Sequence, residues 1–332
     1  LAEQIDSLSR EARRLVENEG FRSAAERLRL AIRLQEELNR DFAGSRFAGE
    51  RLRRDLESRL LRANSASLAG EILSESDTLD AQLQDGRVIE ALSNIDNLAR
   101  KVEVFRTEFP ESTRVSRDLQ AKVEYLAFIR SEAGFFQRRI ESQLLPVPSV
   151  EGVQMLRTEV SQALYSSIML NNPSRRTGET LPVESVTYEE AEQFCQRVGW
   201  IFGRTIRLPR REEIEAAVGS LRYVNLTEQA WCQQNASGSI QPVATREANA
   251  HGFHDLLGNV AEWCQPSGFL TSTEALLSGG TATDSIDRLA EIPFDITSRR
   301  SRNRYTGFRL VLDEREASAT AVAESQDANP PS

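Results

Sequence analysis

The chain has 332 residues, of which 39% are hydrophobic, so it is long enough for roughly two domains that each bury a core. Its formal net charge of -9 gives no general attraction to nucleic-acid phosphates or anionic lipid, and we expect neither as a partner. The sequence contains no run of 18 apolar residues, so we predict no membrane span within it.

Composition changes sharply along the chain. Residues 1–145 are rich in Leu, Ala, Arg and Glu, whereas all three Trp, all three Cys and both His follow residue 146. This pattern predicts an α+β protein with an all-helical bundle or coiled-coil stalk over 1–145, a mixed domain over 146–313 and a disordered tail over 314–332. Because the first residue is Leu1 and not Met, we leave the localisation open between cytoplasm and export through an upstream signal or anchor.

The N-terminal half consists of amphipathic blocks with helical spacing of their apolar residues. We expect antiparallel hairpins that turn near four glycines, which are Gly20, Gly44, Gly70 and Gly86. In the last block, apolar residues recur seven apart, as in the seam of a coiled coil or bundle, at Leu119, Leu126, Ala133 and Ile140. We favour a spacer or oligomerisation stalk over a peptide-binding groove for this half.

The C-terminal half carries several short motifs. Thr187 followed by Glu190 predicts a capping box at the start of a helix that buries Cys195. The chain has three cysteines and no C-x-x-C pair, so at least one thiol is free and a Cys232–Cys264 disulfide stays open. The two histidines, His251 and His254, are too few for a typical transition-metal site.

The order of these motifs resembles that of the formylglycine-generating enzymes, the sulfatase-modifying factors. The segments that carry the resemblance are 155–162, 181–195, 204–214, 249–264, 277–281 and 299–310, and together they cover about 151–313. The resemblance implies a modified C-type-lectin-like fold. Its structural residues would be Asn259, Trp263, Gly279, Gly280, Arg304, Gly307, Phe308 and Arg309.

The resemblance also implies a calcium ion at the segment DLLGNVAEWC. Its ligands would be the side chains of Asp255 and Glu262 and the carbonyls of Gly258 and Val260. Oxygen donors of this kind suit a hard cation. The alternative is that Asp255 closes a turn while Glu262 pairs with one of the arginines near residue 300. We leave both open, and calcium is the only cofactor we expect.

The catalytic copper ligands of the enzymes are missing from this chain. The family's enzymes hold Cu(I) with two thiolates that follow the Gly-Gly turn, and aligned on Gly279 and Gly280 these positions are Asp284 and Leu289. The histidine ligands of the related sulfoxide synthases are absent as well. We therefore predict no catalytic residues in this domain and expect neither copper nor iron.

Together these observations predict a non-catalytic recognition or scaffold protein, a lectin-like head on a helical stalk that binds a protein, peptide or glycan. The helical region would serve for oligomerisation. Two alternatives stay open: a divergent oxidase of the same superfamily, and the accessory or sensory part of a longer bacterial signalling protein.

Overall fold

The computed structural model describes residues 1–85, 87–222, 224–266 and 270–315. A helical region precedes a mixed domain, which confirms the predicted α+β class. Compactness divides the chain into Leu1–Ser131 and a second unit that begins at Glu132. The turn predicted near Gly86 and residues 316–332 of the predicted tail lie outside the described residues. None of the described helices is both long and apolar enough to cross a membrane.

The helices and strands alternate only in the second unit. The N-terminal helices are α1 (Ala2–Glu17), α2 (Phe21–Asp41), α3 (Glu50–Gln84), α4 (Val88–Ser93), α5 (Ile95–Glu108) and α6 (Arg117–Glu141). The later helices are α7 (Gln162–Met169), α8 (Tyr188–Phe202), α9 (Arg211–Val218), α10 (Leu226–Gln229) and α11 (Ile286–Leu289). The strands are β1 (Leu144–Pro146), β2 (Val153–Leu156), β3 (Thr205–Arg207), β4 (Ala261–Cys264), β5 (Glu274–Ser278), β6 (Phe294–Ser298), β7 (Thr306–Gly307) and β8 (Val311–Asp313).

The first three helices form hairpins at two of the predicted turns. The chain reverses at Gly20 between α1 and α2, and near Gly44 between α2 and α3. Both α1 and α3 pack along α2. Small side chains on α2, such as Ala24 and Ala31, are fully buried and allow this close approach of the helices.

The turn predicted near Gly70 is wrong, because α3 runs without a break through this residue. Glycine costs roughly 1 kcal/mol relative to alanine inside a helix. Burial of the neighbouring Ala69 and Ile72 offsets this cost. Gly70 itself is exposed, and no atom lies within 4 Å of the place where its Cβ would be.

The last helix of the N-terminal half, α6, begins at Arg117 behind a side-chain cap. Ser116 Oγ accepts a hydrogen bond from the Leu119 N–H at 3.1 Å and caps the helix. The predicted apolar stripe is buried at Leu126 and Ile140. Helix α6 ends at Glu141 and β1 starts at Leu144.

The second unit contains two four-stranded sheets. The first has the order β1-β2-β8-β3 and is antiparallel throughout, with Met155 opposite Val311 and Ile206 opposite Leu312. The second has the order β6-β5-β4-β7, in which β4 and β7 run parallel. Strand β4 is buried along its whole length, so the end of the segment DLLGNVAEWC lies in the core.

The predicted capping box can be compared at the starts of two helices, α8 and α9. At α8 the capping box is present, because Thr187 Oγ1 accepts from the Glu190 N–H at 3.2 Å and Glu190 Oε2 accepts from the Thr187 N–H at 2.9 Å. At α9, Arg210 has no hydroxyl to accept from the helix, but its N–H donates to Glu213 Oε2 at 2.8 Å. The second helix therefore keeps half of a capping box.

Candidate functional site

The turn before β4 depends on three residues with left-handed backbone. Asp255, Gly258 and Asn259 have φ values of 54°, 83° and 49°. A Cβ on Gly258 would lie 2.1 Å from the carbonyl oxygen of Trp231, so only glycine fits there. Aspartate and asparagine tolerate this conformation better than most residues, and the sequence of the turn therefore suits its shape.

Asn259 ties this turn to two distant segments. Its Nδ2 donates to Glu159 Oε1 at 3.0 Å and to the Gln241 carbonyl at 3.1 Å, and its Oδ1 accepts from the Gln241 N–H at 2.9 Å. The side chain is fully buried. Because each polar atom of the amide has a partner, Asn259 works as a rigid link between three segments.

Glu262 pairs with Arg309. Its Oε2 and Oε1 accept from Nε and Nη2 of the guanidinium, each at 2.6 Å. Arg309 also donates to the carbonyls of Leu156 and His254 at 3.2 and 3.1 Å. Both side chains are almost fully buried. This bidentate pair matches the alternative in which Glu262 pairs with one of the arginines near residue 300.

Two further carboxylates lie close enough to this pair for their charges to interact. The Arg309 charge acts on Glu159, Asp255 and Glu262 together. Burial raises the pKa of Asp255 to about 6. It also raises the pKa of Glu262, and that of Glu159 well above its ordinary value. One guanidinium therefore faces three buried carboxylates.

This cluster contains oxygens without hydrogen-bond partners. Asp255 Oδ2 accepts from the Ala244 N–H at 2.7 Å, but Oδ1 has no partner in the described chain. The same is true of Glu159 Oε2. Buried acceptors that lack a donor are costly, so this pocket of negative charge favours a cation or a proton.

The two carboxylates predicted to bind calcium, Asp255 and Glu262, differ in their hydrogen-bond partners. The free Oδ1 of Asp255 suits a hard cation, whereas both Glu262 oxygens are engaged by Arg309. Within the residues the structure describes, no three His, Cys, Asp or Glu side chains have the arrangement of a metal site. Of the two predicted side-chain ligands, only Asp255 therefore keeps an oxygen without a hydrogen-bond partner in the described chain.

The two copper positions have structural roles of another kind. Asp284 Oδ2 accepts from the N–H and Oγ1 of Thr281 at 2.8 and 3.0 Å and so closes the turn after Gly280. Leu289 is fully buried, and a Cβ on Gly280 would lie 2.6 Å from its Cδ2. A carboxylate that closes a turn and an aliphatic side chain in the core cannot supply thiolate ligands.

All three cysteines are free and buried, so the structure does not contain the Cys232–Cys264 disulfide that the sequence left open. Burial raises the pKa of the Cys264 thiol to about 12, and its Sγ donates to Ser278 Oγ at 3.1 Å. Burial also raises the pKa of Cys195 far above its usual range. Neither thiol is a nucleophile near neutral pH, because the reactive form is the thiolate.

The histidines do not converge on a shared site. His254 Nδ1 lies 2.9 Å from the Arg246 carbonyl and its Nε2 lies 3.0 Å from Arg157 Nη2. His251 is exposed and sits beside Gly219. His254 is therefore part of the hydrogen-bonded frame behind Arg309, whose Nη2 binds its carbonyl.

The remaining predicted structural residues lie in the core, except Arg304, which is exposed. Trp263 is fully buried and its indole N–H donates to the Val186 carbonyl at 3.0 Å. Phe308 packs edge-to-face against Phe194 with 5.3 Å between ring centroids. Gly279 and Gly307 admit backbone carbonyls within 2.5 Å of where a Cβ would be, and the guanidinium of Arg304 lies over the Tyr305 ring.

Two buried contacts could not be predicted from the sequence. Glu159 was visible only as part of a strand-to-helix motif, and its contact with Asn259 spans 100 residues. A second buried network joins Arg207 to Glu213 and Asp313, with Nη2 2.5 and 2.6 Å from the two carboxylates. No local pattern marks the contact of Glu159 with Asn259 or that of Arg207 with Asp313, because these partners are 100 and 106 residues apart in the sequence.

A family model and several known proteins are similar to parts of this chain. Residues 117–314 match the model of the sulfatase-modifying factor enzyme 1-like domain. A protein named chaperone protein LppX, from Paenibacillus barcinonensis, is 26% identical over 212 residues, which are 46% of this chain and 72% of that protein. Among solved structures, variable protein 1 of Treponema denticola is 22% identical, with a TM-score of 0.45, and is matched over 52% of this chain and 91% of its own. PvdO from Pseudomonas aeruginosa is 15% identical, with a TM-score of 0.42, over 48% and 80% of the two chains. Since the family model covers more than half of the sequence, the chain belongs to the sulfatase-modifying factor enzyme 1-like family.

Proposed function

We propose that this chain is a non-catalytic recognition or scaffold protein whose C-terminal domain binds a protein, peptide or glycan. One observation carries the proposal: the positions of the family's copper thiolates hold Asp284, which closes a turn, and Leu289, which fills the core. The scaffold around them is intact. A frame of this kind without redox ligands is compatible with binding and lacks the groups that oxidation by copper needs.

The frame is suited to holding loops still. Asn259 fixes Gln241 and Glu159 to one turn, and Arg309 fixes Glu262, Leu156 and His254 to one another. Loops anchored in this way lose little conformational entropy on binding. The likeness to a chaperone-named protein supports a protein as the partner over a glycan.

Metal analysis and oxygen consumption test the absence of catalysis. The full chain would be loaded with Cu(I), passed over a chelating resin and assayed with a cysteine-containing peptide in an oxygen electrode. We expect copper far below one equivalent and oxygen uptake no faster than in buffer. Copper or iron near one equivalent, together with peptide-dependent oxygen uptake, would establish a divergent oxidase instead.

A binding screen tests the positive half of the proposal. The immobilised full chain would be offered a phage-displayed peptide library and a glycan array. Enrichment of related peptides supports protein recognition, and enrichment of related glycans would assign the domain to sugar binding. Failure of both would contradict a recognition role for this domain.

We further propose that calcium binds beside Asp255, where the free Oδ1 meets excess negative charge. Calcium should then stabilise the native chain by mass action, by about 2.7 kcal/mol at a hundredfold excess over Kd. Asp255→Asn keeps an oxygen for the Ala244 N–H but removes the charge, so it should fold and lose the calcium response. Asp287→Asn, at an exposed site, is the control. Equal calcium-induced shifts in both variants would exclude Asp255 as a ligand.

A further inference from the structure

We propose that the helical unit binds an acidic, amphipathic helix of a partner protein in the groove between α1 and α3. Both helices pack along α2, and α2 forms the floor of the groove between them. Two cavities of about 400 and 960 Å³ lie along it. They adjoin, because Ser9, Arg13, Asp55 and Arg59 line both.

The walls and floor of the groove are apolar. Ala12 and Val16 come from α1, Leu28 and Leu38 come from α2, and Leu52 comes from α3. Ala12, Leu28 and Leu38 are almost fully buried, so the accessible apolar surface of the groove is mainly that of Val16, Leu52 and Phe47, which are 41%, 47% and 44% exposed. Between the two cavities Arg59 Nη1 donates to Ser9 Oγ at 2.8 Å and links α3 to α1.

The rim of the groove is basic. Arg59 pairs with Asp55 at 2.7 Å and Arg10 pairs with Asp6 at 3.0 Å. Four other arginines line the two cavities without an ion pair to any described carboxylate, and they are Arg13, Arg46, Arg62 and Arg114. Glu3 is the remaining acidic residue of the lining.

This local excess of positive charge stands out in a chain of net charge -9. Two of the arginines lie over aromatic rings. The guanidinium of Arg114 is 6.0 Å from the ring centroid of Phe21, and that of Arg46 is 4.7 Å from the ring centroid of Phe47. Charge complementarity therefore points to an acidic occupant.

The dimensions of the groove point to a helix. Ile5 lines one cavity and Val16 the other, and eleven residues of helix rise roughly 17 Å, the length of three turns. A partner helix with apolar residues three and four apart would place them against Val16 and Leu52 and its carboxylates on the arginine rim. The proposal extends the recognition role to a surface that is independent of the C-terminal loops, and it favours the peptide-binding groove over the spacer.

The test uses the full chain and two labelled probes. Both are fourteen-residue designed helices with the same leucine stripe, one with glutamate and the other with lysine at the flanking positions. Fluorescence anisotropy should show saturable binding of the glutamate peptide, at least tenfold tighter than the lysine peptide. Arg13→Gln with Arg62→Gln should weaken it about fivefold, as two exposed charge contacts imply.

The matched control is Arg33→Gln with Arg54→Gln, which changes the net charge equally at exposed positions outside the groove and should leave the affinity unchanged. Far-UV circular dichroism confirms that each variant is folded. The proposal fails if the folded chain does not bind the glutamate peptide, or if both double variants weaken it equally. It also fails if inorganic phosphate at matched ionic strength displaces the peptide, or if sedimentation shows that a second copy fills the groove in a dimer that Arg13→Gln with Arg62→Gln dissociates.

Discussion

Replacing Arg309 with methionine would leave three buried carboxylates without their shared countercharge. Methionine has similar length but removes the charge and every donor. Removal of one partner from a buried ion pair costs about 3–5 kcal/mol, because the other charge stays buried and unpaired. Arg309 is 0% exposed and binds both oxygens of Glu262 at 2.6 Å, so we expect the upper part of this range.

In Arg309→Met, protonation of Glu262 limits the loss of folding free energy and makes this loss depend on pH. From an ordinary carboxyl pKa of about 4.3, protonation at pH 7 costs about 3.7 kcal/mol, and at pH 5 it costs about 1 kcal/mol. In Arg309→Met the folded state would favour neutral Glu262, so the pKa of this carboxyl would be raised. The stability that protonated Glu262 contributes to Arg309→Met is present at low pH and is lost as pH rises through the raised pKa. The destabilisation relative to the parent chain should therefore shrink from pH 7 to pH 5.

Urea denaturation followed by tryptophan fluorescence measures this effect in the right part of the molecule, because Trp200, Trp231 and Trp263 are the only tryptophans of the chain. In thermal melts the same loss corresponds to roughly 6–20 °C for a unit of this size. Arg204→Met, which breaks an exposed pair with Glu314, is the control and should cost less than about 1 kcal/mol. A loss for Arg309→Met no larger than the control, or an equal loss at pH 5 and pH 7, would refute the reasoning.

Three further predictions concern other positions. Two arginines hold the pKa of Asp313 far below its usual range, so its ionised form stabilises the fold at pH values above about 4 and this stability is lost as pH falls; Asp313→Asn should flatten that acid limb in fluorescence-monitored denaturation. Gly258→Ala should destabilise the domain by more than about 2 kcal/mol, because it adds a clash with the Trp231 carbonyl to left-handed strain, whereas Gly238→Ala, with equal strain and open space, should cost only about 1–2 kcal/mol in the same assay. Gly70→Ala should stabilise α3 by about 0.5–1 kcal/mol in thermal melts followed by circular dichroism, and an unchanged or lower melting temperature would contradict the account of that helix.

An element was predicted correctly where neighbouring residues determine it, and wrongly where tertiary packing does. The capping box of Thr187 and Glu190 needs only residues three apart, and it formed as predicted. The turn near Gly70 failed because a glycine signals a break only where tertiary packing does not override its propensity, and the burial of Ile72 does so here.

The same distinction applies to the contacts of the candidate site. The pairing of Glu262 with an arginine near residue 300 was one of two open alternatives, because the charge types were visible and their register was not. The position of Glu159 beside Asn259 follows from the sheet and the turn together, so no motif contains it. The arginine rim of the helical groove was hidden for a similar reason, since its members come from separate helices and from the segment before α6.

The place of β8 in its sheet has a consequence for how the chain is made. This strand is the last of the domain, yet it lies between β2 and β3 in the middle of the sheet. During synthesis the helices from α1 onward can fold as they emerge, because their contacts are local, whereas the sheet lacks its centre until Asp313 has left the ribosome. A truncation of only the last few residues of the domain would therefore leave two separated halves of a sheet with exposed edges, a substrate for chaperones and proteases and not a slightly shortened protein.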